Sequence, residues 1–424
     1  MNTETSVNLT VDRATCVALD VADPLAGFRD RFALPDGVVY LDGNSLGALP
    51  KTTAAQVERV ITEEWGTGLI RSWNDAGWFA KPAVLGDRIA PIIGAAPGEV
   101  VLGDSTSASL FQAAVAAVRL RPGRRVLISE RGNFPTDLYM LEAVQELLGD
   151  DEPLERRLID DDGPTLDDEL DDDVAVVVLT HVDYRTGRMR DLAEVTRQVQ
   201  AAGAVMLWDL CHSVGAVPVD LNGAGADFAI GCTYKYLNGG PGSPSFIWVA
   251  GRHQAAARPA LTGWHGHARP FDFELGYAPA DGITRFRVGT PQLLSMSALE
   301  ASLDIWDEVD IELVREKSLR LTELFISLVD TRLAPRGVEV ATPRQSARRG
   351  SQVSLRVENG YAIMQALIER GVIGDFRAPD LMRFGFTPLY VSHTDVWDAV
   401  AALEEILATE AWREPRFARR GAVT

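Results

Sequence analysis

The sequence predicts an α/β protein with a large domain, built on a mostly parallel sheet between layers of helices, and a smaller α+β domain beside it. Three observations predict this. Short β-branched runs alternate with helical stretches through the middle of the chain, which implies right-handed crossovers and a sheet covered on both faces. One run, 174–179, is continuously apolar, as in a strand buried on both sides. After about Ser297 the pattern changes to long stretches with apolar residues at helical spacing.

In chain order, residues 1–70 read as an N-terminal segment that joins the smaller domain, with helical segments expected around 42–50. Residues 71–300 read as the large domain. Its candidate strands are 100–102, 125–129, 174–180, 205–209, 227–231 and 245–249, with helices at 108–120, 136–148 and 192–202 between them. Residues 301–424 read as the smaller domain. One or two long helices over 298–333 lead into strands near 337–341 and 353–357, a helix at 361–370 and a last helix at 395–407.

The chain has 424 residues, enough for two domains that share a ligand cleft. Its formal charge of −19 argues against a nucleic-acid partner, whose phosphates it would repel. Part of the excess lies in Asp160–Asp162 and Asp171–Asp173, around a turn at Gly163-Pro164, and reads as a solvated loop face. No apolar run is long enough to span a bilayer, and the start, Met1-Asn2-Thr3-Glu4-Thr5, lacks the basic and apolar regions of a secretory signal. A cytoplasmic protein is expected, away from membranes. The cysteines, Cys16, Cys211 and Cys232, are odd in number and show no metal-ligand spacing, so they read as reduced thiols. His265-x-His267 lacks a third ligand at a familiar spacing, and no metal site is expected.

Arginine has nearly displaced lysine: the 41 basic residues include only Lys51, Lys81, Lys235 and Lys317. Lys51, Lys81 and Lys317 read as solvent-facing. Lys235, in Cys232-Thr233-Tyr234-Lys235-Tyr236-Leu237-Asn238-Gly239-Gly240, follows a buried strand and precedes a glycine turn. A guanidinium cannot form a Schiff base, whereas a desolvated amine can attack a carbonyl, so Lys235 is the candidate nucleophile. Asp209 ends the run Ala204-Val205-Met206-Leu207-Trp208, which puts its carboxylate at the sheet's carboxyl edge, where α/β folds bind ligands. A pyridoxal phosphate enzyme needs a carboxylate there to keep the pyridine nitrogen protonated. Gly103-Asp104-Ser105-Thr106-Ser107 opens a helix and offers free amides and hydroxyls to a phosphate, although helix capping alone also explains one such hydroxyl.

Four stretches carry a family resemblance: Tyr40-Leu41-Asp42-Gly43-Asn44-Ser45-Leu46-Gly47, Glu130-Arg131-Gly132-Asn133-Phe134-Pro135-Thr136-Asp137, Trp208-Asp209-Leu210-Cys211-His212, and Tyr234-Lys235-Tyr236-Leu237-Asn238. In these the chain resembles the kynureninases, pyridoxal 5'-phosphate enzymes of fold type I, over about residues 40–390. The resemblance implies a seven-stranded sheet and a homodimer with shared active sites. It implies that Lys235 holds the cofactor as a Schiff base and moves the substrate's α-proton, and that Tyr234 binds the phosphate and relays protons. Asp209 would pair with the ring nitrogen and Phe134 stack on the ring. His212, Asp137 and Thr180 would lie close by, and Ser105 and Thr106 would hold the phosphate. Trp264 and Thr290 would be phosphate contacts from the neighbouring subunit. Arg383 would grip the substrate's α-carboxylate, and Ser45, Trp73, Asn74 and His265 would line the aryl pocket. The implied reaction is hydrolysis of L-kynurenine or its 3-hydroxy form to an anthranilate and L-alanine.

The chain departs from the family at His265, where a large aromatic is expected, at Cys211 in place of Ser or Ala, and at Ser109 in place of Asn. Competing readings are an aminotransferase or desulfurase of the same fold, a nicotinamide dehydrogenase, and a fold that binds without turnover. The missing glycine fingerprint counts against the dehydrogenase.

Overall fold

The computed structural model describes residues 11–149, 153–160 and 163–421; Met1–Thr5, Asp161 and Asp162 lie outside the described residues. After β1 (Val39–Tyr40), seven strands form the main sheet: β2 (Val100–Leu102), β3 (Val126–Glu130), β4 (Glu155–Ile159), β5 (Val174–Thr180), β6 (Val205–Asp209), β7 (Phe228–Gly231) and β8 (Phe246–Val249). Their order is β2-β8-β7-β6-β5-β3-β4. The pairs from β4 to β7 are parallel, and β8 runs antiparallel to both its neighbours. Strands β5 and β6 lie in the middle of the sheet, and every residue in them is buried. That burial is why both read as unbroken apolar runs.

Six of the seven strands fall where the sequence predicts them, within one residue at each end. The seventh, β4, was missed. It is an edge strand of sequence Glu-Arg-Arg-Leu-Ile, and only Ile159 in it is fully buried. An edge strand carries charge that hides the β pattern. The helices Thr106–Arg119, Pro135–Leu148 and Leu192–Ala201 match the expected ones.

A second sheet is antiparallel, in the order β12-β13-β10-β9, from β9 (Glu339–Val340), β10 (Gln352–Arg356), β12 (Asp375–Arg377) and β13 (Leu381–Gly385). Helices Ile311–Leu328 and Gly360–Glu369 pack against it, and helix His393–Thr409 packs on both of them. The N-terminal segment meets this part of the chain: β1 pairs in parallel with β11 (Val372–Ile373), and helix Arg13–Val21 packs on helix His393–Thr409.

Two expectations fail. Residues 42–50 are not helical. The chain makes a turn in which the N–H groups of Ser45 and Leu46 donate to the Asp42 carbonyl, then runs on to a bridge between Phe32 and Pro50. Gly43, Gly47 and Pro50 within nine residues disfavour a helix. Lys81 and Lys317 are not solvent-facing either. Lys81 is buried against Glu300 at 2.6 Å, and Lys317 is buried with its ammonium 2.6 Å from Asp23 and from the Pro388 carbonyl. Their aliphatic stems pack inward while a carboxylate satisfies the charge, a combination invisible in local spacing. Lys51 is exposed as expected.

Candidate active site

The carboxyl ends of β5, β6 and β7 face one cavity of about 100 Å³, lined by Thr106, Ser107, Phe134, Thr136, Asp137, Thr180, Tyr184, Asp209, Cys211, His212, Tyr234 and Lys235. Parallel strands bring these positions level. Thr180 is the register partner of Asp209, and Asp209 that of Ile230, two residues before Cys232. The turn after β7 then carries Tyr234 and Lys235. It is anchored from the far N-terminus, because the Gly47 amide donates to the Tyr234 carbonyl at 2.8 Å.

Lys235 Nζ lies 2.9 Å from His212 Nε2 and 5.7 Å from the centre of the Tyr234 ring. Burial, and then the charge of Lys235, hold His212 well below the usual imidazole range, so it meets the lysine as a neutral ring. His212 Nδ1 is buried without a hydrogen-bond partner. Asp209 accepts the Cys211 amide at 2.7 Å and faces Asp137. Burial, and next the charge of Asp209, push the Asp137 carboxyl well up, so the pair shares one negative charge. Asp137 Oδ2 is buried without a partner as well. The Cys232 thiol, and then burial, raise the Tyr234 phenol far above its ordinary value, which keeps it a proton donor.

On the entrance side, Phe134 is exposed and meets Tyr184 edge-on with ring centres 5.2 Å apart. Ser105 caps helix Thr106–Arg119 by accepting the Ala108 amide at 3.4 Å. Thr106 begins the helix, and with Ser107 it lines the cavity, so the first turn of the helix forms part of the cavity wall. Beneath that turn Ser109 and Ser245 join hydroxyls at 2.5 Å, which gives buried Ser109 a local partner.

Arg383 stands on β13 and is fully buried. Its guanidinium donates to the Tyr184 carbonyl at 2.6 Å and to Ser45 Oγ at 2.9 Å, and forms an ion pair with Asp375. Tyr184 thus touches both Phe134 and Arg383, joining the Lys235 cavity to this arginine. Sequence reasoning missed Tyr184, Asp375 and Arg377. The stretch Gly374-Asp375-Phe376-Arg377 carried the only signal for the last two, since alternating charges in a short strand are unusual when buried.

Eight predicted residues do not line this cavity: Ser105, which caps the helix at its wall, Arg383 and Ser45, which meet each other beside it, and Asn74, Trp73, Trp264, His265 and Thr290. Trp264 meets Trp73 at 5.8 Å and His265 at 4.9 Å, and His265 is wedged against Phe79 at 4.5 Å. His265 is buried and accepts Arg287 Nε at its Nδ1, 2.9 Å away; burial, and then Arg287, lower its pKa to about 3. Thr290 is exposed on a neighbouring cavity lined also by Gly103, Asp104 and His265. Trp264 is also exposed, beside Phe271 and Phe273. Among the described residues no cluster of metal ligands occurs, and all three cysteines are free and buried.

The comparisons with known proteins agree on one family. Residues 314–403 match the kynureninase C-terminal domain. The kynureninase of Burkholderia pseudomallei (strain 1106a) is 56% identical over 416 residues, covering 97% of this chain and 99% of that protein. The kynureninase of Pseudomonas fluorescens is 51% identical over the same length and coverage. Among solved structures, the apo cysteine desulfurase of Thermococcus onnurineus NA1 superposes with a TM-score of 0.75 at 19% identity, covering 90% of this chain and 98% of that one. A mutant of the C-DES enzyme with glycine covalently linked to its PLP cofactor gives a TM-score of 0.76 at 16% identity, over 89% and 99%. At such identities the structures establish the fold, that of PLP enzymes of type I. With more than half its residues shared across nearly the full length of curated relatives, the chain belongs to the kynureninase family.

Proposed function

We infer that the chain hydrolyses the Cβ–Cγ bond of L-kynurenine or a ring-substituted analogue such as L-3-hydroxykynurenine, giving an anthranilate and L-alanine, with pyridoxal 5'-phosphate as cofactor. The observation that carries this is the geometry around Lys235: an amine 2.9 Å from a neutral His212, above an acid pair in which Asp137 Oδ2 has no partner. These residues fit the cofactor. Asp209 and Asp137 together offer a protonated ring nitrogen one negative charge, and Lys235 offers an amine for the aldehyde. Phe134 presents a ring face, and Ser105 and Thr106 present a helix start to the phosphate. When bound, the cofactor's ring would withdraw electrons from the substrate's α-carbon and so make its proton removable.

The chain's own groups supply the rest. Lys235 Nζ takes the α-proton and returns one to the alanine product. His212 accepts a hydrogen bond from Nζ and adds no charge, since it stays neutral. The Tyr234 phenol, held protonated, donates to the γ-carbonyl oxygen while water adds at that carbon. Arg383 grips the α-carboxylate through its planar fork. Cys211 is buried on the turn after β6, which disfavours a desulfurase, whose nucleophilic thiol must reach substrate on a mobile loop.

We further propose a homodimer in which Trp264 and Thr290 of each protomer complete the partner's phosphate site, and His265 and Trp73 its aryl pocket. Their separation from the Lys235 cavity supports this. The proposed domain division is 1–70 with 301–424 around 71–300, supported by the pairing of β1 with β11. A cytoplasmic location is supported by the three unpaired thiols; among the described residues no helix is long and apolar enough to cross a membrane.

The test incubates the pyridoxal phosphate-loaded protein with L-kynurenine and with L-3-hydroxykynurenine. Release of alanine and the matching anthranilate in equal amounts is expected, with no keto acid required. A yellow protein that releases neither would overturn the assignment. The ratio of the two rates, compared with that of His265→Phe, reads how His265 bears on the ring substituent.

A further inference from the structure

Strands β12 and β13 and the turn after β1 gather four ionisable side chains beside the cofactor cavity. Asp375 and Arg383 are register partners. Arg383 and Arg377 both reach Asp375 Oδ2, Arg377 at 2.7 Å, and Ser45 Oγ lies 3.3 Å from the same oxygen. Asp42 sits at the head of the turn that carries Ser45, and its backbone bridges to Gly385 at the end of β13. Its Oδ1 is buried without a hydrogen-bond partner, and the Nε atoms of Arg377 and Arg383 are buried without partners too. The groups facing Asp42 are Asp375 and Arg377 from β12, Arg383 from β13 and Ser45 from its own turn. The phenols of Tyr40, Tyr236 and Tyr390 complete its surroundings.

Counting charge decides what a ligand must do here. Two guanidinium groups and two carboxylates balance. A third carboxylate on Arg383 leaves one uncompensated negative charge where Arg383 is 1% exposed and Asp375 2%. Burying a lone charge is far costlier than binding a proton. Asp375 keeps two arginines, so it is the harder of the two to protonate. Asp42 has an open oxygen and a carboxylate neighbour.

We propose that binding of the substrate's α-carboxylate at Arg383 is coupled to uptake of one proton by Asp42, which makes Asp42 a positioning residue that sets the pH range of substrate binding. This rests on the reading of Arg383 as the carboxylate clamp. Burial, and then the charge of Asp375, already push Asp42 up to about 7 before any ligand arrives. Above that pH, free Asp42 is ionised and must gain a proton, so affinity falls as pH rises. Below it, Asp42 already carries the proton and binding takes up none.

The probe is 4-oxo-4-phenylbutanoate, which has the aryl ketone and the carboxylate but no α-amine, so it cannot exchange with Lys235. Its control is butyrophenone, which lacks the carboxylate. Calorimetry of the holoenzyme in buffers of different ionisation enthalpy counts protons at pH about 6 and about 8.5. Expected is close to one proton taken up per carboxylate ligand at the higher pH, almost none at the lower, and none with the ketone. Affinity for the carboxylate should fall by up to about tenfold per pH unit above 7. Asp42→Asn should remove the uptake and flatten the profile. No uptake by the native enzyme, or uptake unchanged in Asp42→Asn, overturns the proposal. If Asp42→Asn does not fold, the native proton count and pH profile still decide. Arg383→Gln separates the two readings: it should weaken the carboxylate and spare the ketone. If it spares both, the clamp itself is wrong and the coupling falls with it.

Discussion

Lys235 owes its character to its neighbours. It is half-buried, less so than Lys81 or Lys317, yet it faces a neutral imidazole, whereas those two face carboxylates. Rarity of lysine singled out a residue that does line the cavity, but burial alone does not distinguish it from the other lysines. Arg383 is the second deciding side chain, and its planar fork already spans Tyr184, Ser45 and Asp375. Arg383→Lys keeps the charge but loses the fork. Each charge-assisted hydrogen bond lost is worth about 1.5–3 kcal/mol, so KM for kynurenine should rise roughly 10- to 100-fold, with kcat changed less. Steady-state kinetics check this; an unchanged KM would remove Arg383 from carboxylate binding. Lys235, Asp209 and Tyr234 were legible because each sits in a compact motif at a strand end. Asp375 was not, because its partners Ser45 and Arg383 come from opposite ends of the chain and meet only through strand pairing.

Among the elements, the sheet was legible wherever its strands are buried, the edge strand β2 included, and obscure only at the charged edge strand β4. Strand β5 shows seven buried residues in a row, while β4 offers charges that read equally as loop. The 42–50 segment is not helical, and its glycines serve close approach instead. A Cβ at Gly47 would stand 2.2 Å from the Lys235 carbonyl oxygen and 2.7 Å from Asn238 Cα. Both contacts are backbone, so neither can rotate away. Gly47→Ala should therefore cost about 1–3 kcal/mol in stability, as overpacking does, and lower kcat by displacing the Lys235 turn. Chemical denaturation and kinetics together measure it. A variant with native stability and native kcat would show that the turn does not depend on this contact.

At the scale of the whole molecule, the site residues fall into two groups, one around Lys235 and one around Trp264. The exposed Trp264, Phe271 and Phe273 lie together, an apolar surface suited to a second copy. If each Trp264 serves the partner's Lys235, inactive Trp264→Ala and Lys235→Ala protomers should complement one another. Random mixing makes half the dimers hybrid, each with one intact site of two, so about a quarter of native activity should return. No recovery after verified subunit exchange would mean that each protomer is catalytically self-contained.

The central claim is that Lys235 carries the cofactor for kynurenine hydrolysis, and one comparison tests it most directly. Native protein and Lys235→Ala are loaded with pyridoxal phosphate, reduced with borohydride, and assayed in parallel unreduced samples with L-kynurenine for anthranilate and alanine. The account predicts that reduction fixes the cofactor to the native chain at Lys235 and to no residue of the variant, and that only the native protein turns over. Cofactor fixed to another lysine, or a variant that still releases anthranilate, would contradict it.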